Sequence, residues 1–214
     1  MNADLDALLR QGLAELGLPL ADEQIAALLA HQALIAKWTR VYNLTAVRDP
    51  WEMLTHHLLD CLAAIPALRR RLGDEPQQVL DVGAGAGLPG VAWAIAQPHW
   101  QVTCVDAVAK KATFIRQVAA ELALPNLRAE PARVADLRPL PWTLITSRAF
   151  ASLPDFVSLT RPLLAPGGWW AAMKGRAPDD ERAGLPDDIV VDAVEPLTVP
   201  GLEAERCLVW MRRA

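Results

Sequence analysis

A glycine-rich segment in the middle of the chain constrains the fold more than any other feature of the sequence. Residues 81–87 read Asp-Val-Gly-Ala-Gly-Ala-Gly, and they follow a short β-rich run and precede an apolar helical pattern. Because glycine has no Cβ, such a turn can take positive φ and let a ligand lie directly on the main chain. A glycine turn between a strand and a helix is typical of α/β domains that bind nucleosides.

The chain from about residue 78 onward alternates between short β-rich runs and helical segments. We expect parallel strands at residues 79–82, 102–105, 127–129 and 144–146. We expect helices at residues 91–96, 109–122 and 153–164. This alternation predicts an α/β fold with a mostly parallel, doubly wound sheet. Two later β-rich runs, 189–191 and 207–211, have no helix between them and predict a C-terminal antiparallel hairpin.

The N-terminal part of the chain has the apolar spacing of helices instead. Leucines three and four positions apart predict a helix over residues 5–16. A second helix is expected from Asp22, as its N-cap, to Trp38, and a third from about 51 to 68. The arginines at 69–71 are interpreted as favourable charges at a helix C-terminus rather than as an RNA contact. The sequence therefore predicts an N-terminal helical region, 1–72, and an α/β domain, 73–214.

Composition and charge exclude several classes of protein. With 52% hydrophobic and 21% charged residues, the 214-residue chain can bury a core, which excludes global disorder. A net charge of −4 argues against an overall basic protein but is compatible with a local basic face. Three cysteines without a C-x-x-C pair indicate reduced thiols rather than disulfides or a zinc site. Because no apolar run is long enough for a membrane span and the N-terminus is acidic, we expect a cytoplasmic protein without a membrane partner.

Two classes of ligand, dinucleotides and S-adenosylmethionine, dock on such a turn, and its spacing separates them. The dinucleotide pattern G-x-G-x-x-G requires glycine at position 88, but that residue is Leu88 and the third glycine is Gly87. The motif also opens with Asp81, and an acidic group suits an ammonium better than a pyrophosphate. Asp106 ends the second expected strand, where a carboxylate can accept hydrogen bonds from both hydroxyl groups of a ribose. We therefore predict that S-adenosylmethionine binds at Asp81, Gly83, Gly85, Gly87 and Asp106; a tight turn without a ligand is the alternative.

The end of the fourth expected strand restricts the acceptor of the methyl group. Residues 147–150 read Ser-Arg-Ala-Phe and lack the Asn/Asp-Pro-Pro-aromatic loop of enzymes that methylate exocyclic base amines. Cys104 lies inside a strand, so we interpret it as a small buried hydrophobe rather than a nucleophile. Cations concentrate near the strand ends, where open α/β sheets bind ligands. They are Lys110, Lys111, Arg133, Arg148, Lys174 and Arg176, of which Lys111 and Arg176 are interpreted as ordinary surface.

Several longer segments together resemble one known family. They are Tyr42-Asn43-Leu44-Thr45, Val47-Arg48-Asp49-Pro50, His57-Leu58-Leu59-Asp60, Leu88-Pro89-Gly90 after the glycine turn, Ser147-Arg148-Ala149-Phe150-Ala151 and Lys174-Gly175. In this order, over nearly the whole chain, they are similar to the bacterial small-subunit (16S) ribosomal RNA guanine-N7 methyltransferases, also called glucose-inhibited division protein B. Ala84 and Ala86 occupy positions that the family often fills with Thr and Pro.

The resemblance implies a class I (Rossmann-like) methyltransferase fold for residues 73–214. It also implies methyl transfer to N7 of a single guanine in 16S ribosomal RNA, with the small ribosomal subunit as partner. Guanine N7 has a lone pair and no proton, so the reaction needs no general base and depends on alignment. The family's cofactor contacts carry over to Gly83, Leu88, Val134, Ala135 and Arg148.

The remaining site predictions combine the resemblance with the positive charge near the strand ends. Arg148 and Lys174 are the candidate catalytic residues, and a cation near the base can also hold guanine O6. The candidate substrate-binding residues are Asn43, Lys110 and Arg133. No metal is implied, and nothing indicates an obligate dimer, so we expect a monomer.

Several alternatives stay open at this point. Arg148 forming an internal salt bridge is one, and Asn43 fixing its own loop as an Asx turn is another. His57 and Asp60 are interpreted as a structural pair that joins the helices to the α/β domain. For the whole chain, the alternatives are a small-molecule methyltransferase and a non-catalytic, cofactor-dependent ribosome-assembly factor.

Overall fold

A seven-stranded sheet forms the centre of the computed structural model, which describes residues 2–138 and 140–214. Its strands are β1 (Gln78–Val82), β2 (Gln101–Val105), β3 (Leu127–Glu130), β4 (Trp142–Ser147), β5 (Leu164–Lys174), β6 (Ile189–Pro196) and β7 (Cys207–Arg213). The order is β3-β2-β1-β4-β5-β7-β6. β1 to β5 pair in parallel, whereas β7 pairs antiparallel with both β5 and β6. The predicted mostly parallel sheet with a C-terminal antiparallel hairpin is confirmed.

Helices precede the sheet and connect its strands. They are α1 (Asn2–Glu15), α2 (Asp22–Tyr42), α3 (Pro50–Met53), a π-helical segment (Leu54–Leu59), α4 (Asp60–Leu62), α5 (Ile65–Leu72), α6 (Gly90–Ala96), α7 (Ala109–Glu121), α8 (Leu153–Thr160) and α9 (Asp179–Arg182). Two 3₁₀ turns cover Val134–Asp136 and Arg161–Leu163. In the part of the chain that the structure describes, no helix combines the length and apolarity needed to cross a membrane.

Three expected helix boundaries were wrong, each for a local reason. The expected helix over 51–68 is divided into α3, the π-helical segment, α4 and α5, and Pro66 lies in the first turn of α5. Because proline has no N–H to donate, it is tolerated in the first turn of a helix and not in its interior, so Pro66 fits the start of a new helix. Similarly, Pro162 lies in the 3₁₀ turn that follows α8, which ends at Thr160. The N-cap of α2 is Ala21 rather than Asp22, and its N–H donates to the Gln24 side chain at 2.9 Å.

The central strand β5 was missed by the sequence analysis. It contains Gly167 and Gly168 near its start and Ala171 and Ala172 near its end, and both residue types are depleted in strands. The segment is a strand because it pairs with β4 on one side and β7 on the other. Tertiary pairing therefore overrides weak local propensity here.

The two faces of the sheet are covered by different helices. One apolar cluster joins the N-terminal helices, α6 and α7 to one face and includes Leu28, Leu58, Val79 and Trp93. A second cluster packs α8 against the other face through Phe156. Because the first cluster spans both predicted regions, the N-terminal helices form one layer of the molecule. The division at residues 72 and 73 stays a prediction.

The arginine run at the end of α5 binds the C-terminal hairpin. Arg70 forms an ion pair with Glu195 at 2.9 Å, and Arg71 pairs with Asp192. The Arg71 guanidinium also lies 4.6 Å from the ring centroid of Trp169 and 4.8 Å from that of Trp210. These two cations therefore attach a helix to the sheet.

Candidate active site

The glycine turn after β1 has a backbone that side chains would disrupt. Gly83, Gly85 and Gly87 have φ of 70°, 58° and 79°. A Cβ at Gly83 would lie 2.9 Å from Cδ2 of Phe150, and one at Gly87 would lie 2.3 Å from Cγ2 of Val91. The turn therefore needs glycine for its φ angles and, at both ends, for space. Its first glycine lies directly under the Phe150 ring.

Asp106 stabilises this turn from the end of β2. Its Oδ2 accepts a hydrogen bond from the Gly85 N–H at 3.0 Å, and its Oδ1 accepts one from the Val108 N–H at 2.8 Å. Lys111, which was expected to be ordinary surface, lies 3.7 Å from Oδ2. Each carboxylate oxygen has a second lone pair, so Asp106 can also accept from a bound diol.

A cavity of about 340 Å³ opens beside Asp106 and is called the Asp106 cavity below. Its walls are mostly apolar and come from the ends of β1 and β2, the segment that leads into the 3₁₀ turn at Val134, Phe150 and α8. The lining residues are Val82, Gly83, Val105, Asp106, Ala107, Ala132, Arg133, Val134, Ala135, Phe150 and Leu159. An apolar slot with one carboxylate on its wall fits the base and the ribose of a nucleoside.

Asp81 is fully buried under the turn and does not line this cavity. Its Oδ2 accepts from the Gly90 N–H at 2.8 Å, which fixes the start of α6. Its Oδ1 has no hydrogen-bond partner among the described residues. Burial raises the pKa of Asp81 to about 7, against the opposing effect of the Gly90 hydrogen bond. An unpaired buried acceptor of this kind favours a donor from a ligand.

A second cavity, of about 360 Å³, lies on the other side of the segment after β4 and is called the Asp60 cavity. It is lined by Val47, His56, His57, Asp60, Arg148, Ala149, Met173, Lys174, Gly175, Leu197, Arg206 and Cys207. The ends of β4 and β5 form its floor, and the π-helical segment forms one wall. Arg148 and Ala149 line the Asp60 cavity and Phe150 lines the Asp106 cavity. These three consecutive residues therefore separate the two cavities.

Asp60 binds both arginines of this second cavity. Its Oδ2 accepts from Nη1 of Arg148 at 3.0 Å, and its Oδ1 accepts from Nε of Arg206 at 2.8 Å. The Arg148 Nη1 also donates to the His56 carbonyl at 2.8 Å. The alternative interpretation of Arg148, an internal salt bridge, is therefore present in the structure. It is compatible with ligand binding, because a guanidinium has five N–H donors.

His57 is joined to the linker after α2 rather than to Asp60. Its Nε2 lies 2.9 Å from the Thr45 hydroxyl, whereas Asp60 binds the two arginines. Asp60 thus joins the N-terminal helices to the sheet, whereas His57 makes a contact within the N-terminal region, and the two do not form a hydrogen-bonded pair. Burial is the main reason that the pKa of His57 falls to about 4, and the charge of Arg148 lowers it further.

The Lys174 ammonium at the end of β5 is occupied by three oxygen atoms. It donates to the Ala151 carbonyl at 3.1 Å and to both carboxylate oxygens of Glu181 at 3.0 Å. An ammonium has three N–H donors, so these contacts use all of them. The contact with Ala151 fixes the segment that follows Phe150. The predicted catalytic role of Lys174 stays a prediction.

The two predicted substrate residues near α2 lie on the surface. Asn43 caps the C-terminus of α2 with φ 49°, and its Oδ1 accepts from the Arg48 guanidinium at 3.1 Å. The Lys110 ammonium lies 5.4 Å from the centroid of the Tyr42 ring. Asn43 thus contacts its own loop through the Arg48 side chain, and not through the Asx turn of the alternative interpretation.

The structure brings most predicted site residues to one edge of the sheet. Gly83, Asp106, Arg133, Val134 and Ala135 line the Asp106 cavity, and Arg148 and Lys174 line the Asp60 cavity. Asp81, Gly85, Gly87 and Leu88 line neither cavity: the two glycines form the turn, and Asp81 and Leu88 are buried beside it. Asp60 was named only as a structural residue, and Arg206 was missed. Arg206 follows an irregular loop and carries no motif, so only the tertiary fold reveals it.

Comparison with known proteins places the chain in a family. The family model described as rRNA small subunit methyltransferase G matches residues 24–209. The chain belongs to this family. A relative from Leptothrix cholodnii, named ribosomal RNA small subunit methyltransferase G, is 59% identical over 212 residues, which is 99% of this chain and 97% of the relative. A second, from Methylibium petroleiphilum and with the same name, is 58% identical over 205 residues, or 96% and 93% of the two chains.

Solved structures with low sequence identity have the same fold as this family member. The magnesium protoporphyrin IX methyltransferase of Synechocystis, solved with bound S-adenosylmethionine, has a TM-score of 0.60 at 16% identity and covers 92% of this chain and 99% of its own. TrmN from Thermus thermophilus has a TM-score of 0.56 at 21% identity and covers 75% of this chain and 53% of its own. The expected class I methyltransferase fold is therefore confirmed.

Proposed function

We propose that this chain transfers the methyl group of S-adenosylmethionine to N7 of one guanine, nucleotide 527 in the usual numbering, of 16S ribosomal RNA. The observation that carries this proposal is the full-length similarity to relatives named ribosomal RNA small subunit methyltransferase G. We further propose that the protein acts as a monomer on the small ribosomal subunit in the cytoplasm.

The residues at the site fit S-adenosylmethionine. The Asp106 cavity has room and apolar walls for an adenosine, and Asp106 retains lone pairs for two ribose hydroxyl groups. Val134 and Ala135 form the wall that we assign to the adenine. The unpaired Oδ1 of Asp81 is suited to the ammonium of the methionine portion. Arg148 has donors left for a carboxylate.

The role of the protein residues in the reaction is to bind and to align. S-adenosylmethionine supplies an electrophilic methyl group on a sulfonium sulfur. Because guanine N7 has no proton, no side chain has to act as a base, and alignment of the acceptor supplies the rate enhancement. We propose that Arg148, held by Asp60, orients the reacting groups from the Asp60 cavity. Lys174 is proposed to act through Ala151, whose position it fixes.

Three surface residues are proposed to face the RNA. Arg133 is exposed at the rim of the Asp106 cavity, and Lys110 is exposed on the first turn of α7. Asn43 holds Arg48 at the end of α2. Leu88 is buried beneath the turn, where we propose that it shapes the site without touching polar groups of the cofactor.

Methyl transfer to defined acceptors tests this proposal. The purified protein is incubated with methyl-labelled S-adenosylmethionine and either unmethylated small subunits or naked 16S ribosomal RNA, and the RNA is digested to nucleosides. We expect the label in 7-methylguanosine. Cofactor binding without any labelled RNA would contradict the proposal and would favour a small-molecule methyltransferase or a non-catalytic assembly factor.

A further inference from the structure

We propose that the surface formed by Tyr42, Asn43, Arg48 and Lys110, called the Tyr42 surface, binds the sugar–phosphate backbone of an unpaired RNA strand beside the target guanine. This inference rests on the proposed function and names the part of the protein that holds the RNA outside the two cavities. It assigns Tyr42 and Arg48 a role that no sequence pattern indicated.

The Tyr42 surface lies at the same edge of the sheet as the Asp106 cavity. Helix α2 runs along α6 and α7, with Nε2 of His31 2.9 Å from the Ala86 carbonyl and the Trp38 ring 5.3 Å from that of Phe114. Its last residue, Tyr42, reaches Lys110. Helix α7 begins at Ala109, and Lys111, the neighbour of Lys110, lies 3.7 Å from Oδ2 of Asp106.

The other end of the Tyr42 surface leads to the Asp60 cavity. The linker that carries Asn43 and Arg48 continues through Thr45, whose hydroxyl meets His57 at 2.9 Å. Val47 and His57 both line the Asp60 cavity. A strand bound on this surface therefore has its neighbouring nucleotide directed toward the site.

The cations of the Tyr42 surface have no carboxylate partner in residues 2–138 and 140–214. The Lys110 ammonium lies over the Tyr42 ring, and Arg48 donates to the neutral Asn43 amide at 3.1 Å. The neighbouring Asp49 is occupied, because its Oδ1 accepts the N–H groups of Trp51 and Glu52. Some exposed arginines elsewhere pair with carboxylates, as Arg10, Arg70, Arg161, Arg182 and Arg212 do, whereas Arg128 has no such pair among the described residues. A protein of net charge −4 thus leaves positive charge uncompensated beside its site.

The chemistry of the acceptor explains why the strand has to be unpaired. In an A-form RNA helix, N7 faces the deep and narrow major groove, which side chains cannot enter. The Asp106 and Asp60 cavities lie below the surface, so the guanine has to leave any helix to reach them. A guanine turned inward leaves its flanking phosphates at the cavity rim. Arg48 directly follows Val47, which lines the Asp60 cavity.

Tyr42 positions Lys110 for this contact. The ring is 44% exposed, lies 5.1 Å from the Trp38 ring, and holds the ammonium by a cation–π contact. A flexible lysine thus keeps a defined place at the end of α2. An aromatic ring beside cations is also the usual combination of a surface that binds single strands.

Substitutions on the Tyr42 surface test the proposal. Lys110→Ala, Arg48→Ala and Tyr42→Leu are compared with Arg128→Ala, which removes an exposed cation from β3. Methyl transfer is measured against small-subunit concentration at several salt concentrations. We expect each of the three to raise KM for the RNA by about tenfold, the size of one lost charged contact. The affinity for S-adenosylmethionine should stay unchanged, and Tyr42→Phe, which keeps the ring, should restore the wild-type KM.

The salt dependence of RNA affinity, and the comparison of unpaired with duplex RNA, provide a second readout. For a labelled unpaired oligonucleotide, Lys110→Ala and Arg48→Ala should each reduce the slope of log affinity against log salt by about 0.7. Wild-type KM and slope in these variants, equal effects of Arg128→Ala, or equal competition by duplex RNA would overturn the inference. Failure of the proposed function can be told apart from failure of this inference. In that case the wild-type protein would bind the oligonucleotide but form no 7-methylguanosine.

Discussion

The Asp60 carboxylate accepts a hydrogen bond from Arg148 at 3.0 Å, and this contact joins the N-terminal helices to the end of β4. Asp60 is buried, and Arg206 from the start of β7 binds its other oxygen at 2.8 Å. One buried carboxylate therefore fixes two arginines from distant parts of the chain. We infer that it sets the direction of the Arg148 guanidinium, which lines the Asp60 cavity.

Replacing Arg148 by alanine should reduce both methyl transfer and stability. The substitution leaves Asp60 buried with one cation fewer, and breaking a buried ion pair costs about 3 kcal/mol. Denaturant unfolding measures the stability loss, and single-turnover transfer measures the activity. Arg182→Ala is the control, because its pair with Asp179 is exposed and should contribute well under about 1 kcal/mol. Full activity of Arg148→Ala would remove this residue from the site.

Replacing Asp106 by alanine should weaken the binding of S-adenosylmethionine. The loss of hydrogen bonds to a charged group is expected to cost about 1–3 kcal/mol, a decrease in affinity of about 5- to 150-fold. Calorimetric titration with S-adenosylmethionine measures the change. Asp74→Ala removes an exposed carboxylate far from the cavity and should leave the affinity unchanged. An Asp106→Ala variant with wild-type affinity would contradict the ribose role.

Asp81 should make cofactor affinity depend on pH. Burial raises its pKa to about 7, so the carboxylate is largely protonated below that pH and ionised above it. Only the ionised form attracts an ammonium, so wild-type affinity should rise between about pH 6 and pH 8 relative to Asp81→Asn. Comparing the two proteins cancels the titration of the ligand itself. Parallel pH profiles for both would show that Asp81 does not contact the ammonium.

The folded-state pKa of Asp81 also has a consequence for stability. Because the folded protein holds this proton more tightly than the unfolded chain, the contribution of Asp81 to stability is fully present at low pH. It decreases as pH rises from about 4 to about 7. The same Asp81→Asn variant should lack this decrease when unfolding is followed over that range.

The fold and the residues around the Asp106 cavity could be predicted from the sequence, but the contacts between distant segments could not. The glycine turn and Asp106 are local signals: a strand end, a φ requirement and a carboxylate at the next strand end. β5 was missed because its glycines and alanines have weak strand propensity, and only pairing with β4 and β7 makes it a strand. The partnership of Asp60 with Arg148 and Arg206 spans 88 and 146 positions, respectively, and no periodicity encodes it.

Replacing Gly83 by alanine should disrupt the site through steric contact. Its Cβ would lie 2.9 Å from the Phe150 ring, whereas a Cβ at Gly17 would meet no atom of the described residues within 4 Å. Both glycines have positive φ, so both variants carry the same backbone penalty of about 1–2 kcal/mol. Gly83→Ala should in addition displace Phe150 and lower cofactor affinity, which Gly17→Ala should not. Equal effects of the two variants on cofactor affinity would show that a side chain at position 83 does not displace Phe150.

The most direct test of the proposed function is to locate the modified nucleotide. After incubation with the protein and S-adenosylmethionine, 16S ribosomal RNA from unmethylated small subunits is reduced and treated with aniline, which cleaves the chain at 7-methylguanosine. The proposal predicts one cleavage, at guanine 527, that is absent without the cofactor and strongly reduced with Arg148→Ala. No cleavage, or cleavage at many guanines, would contradict it.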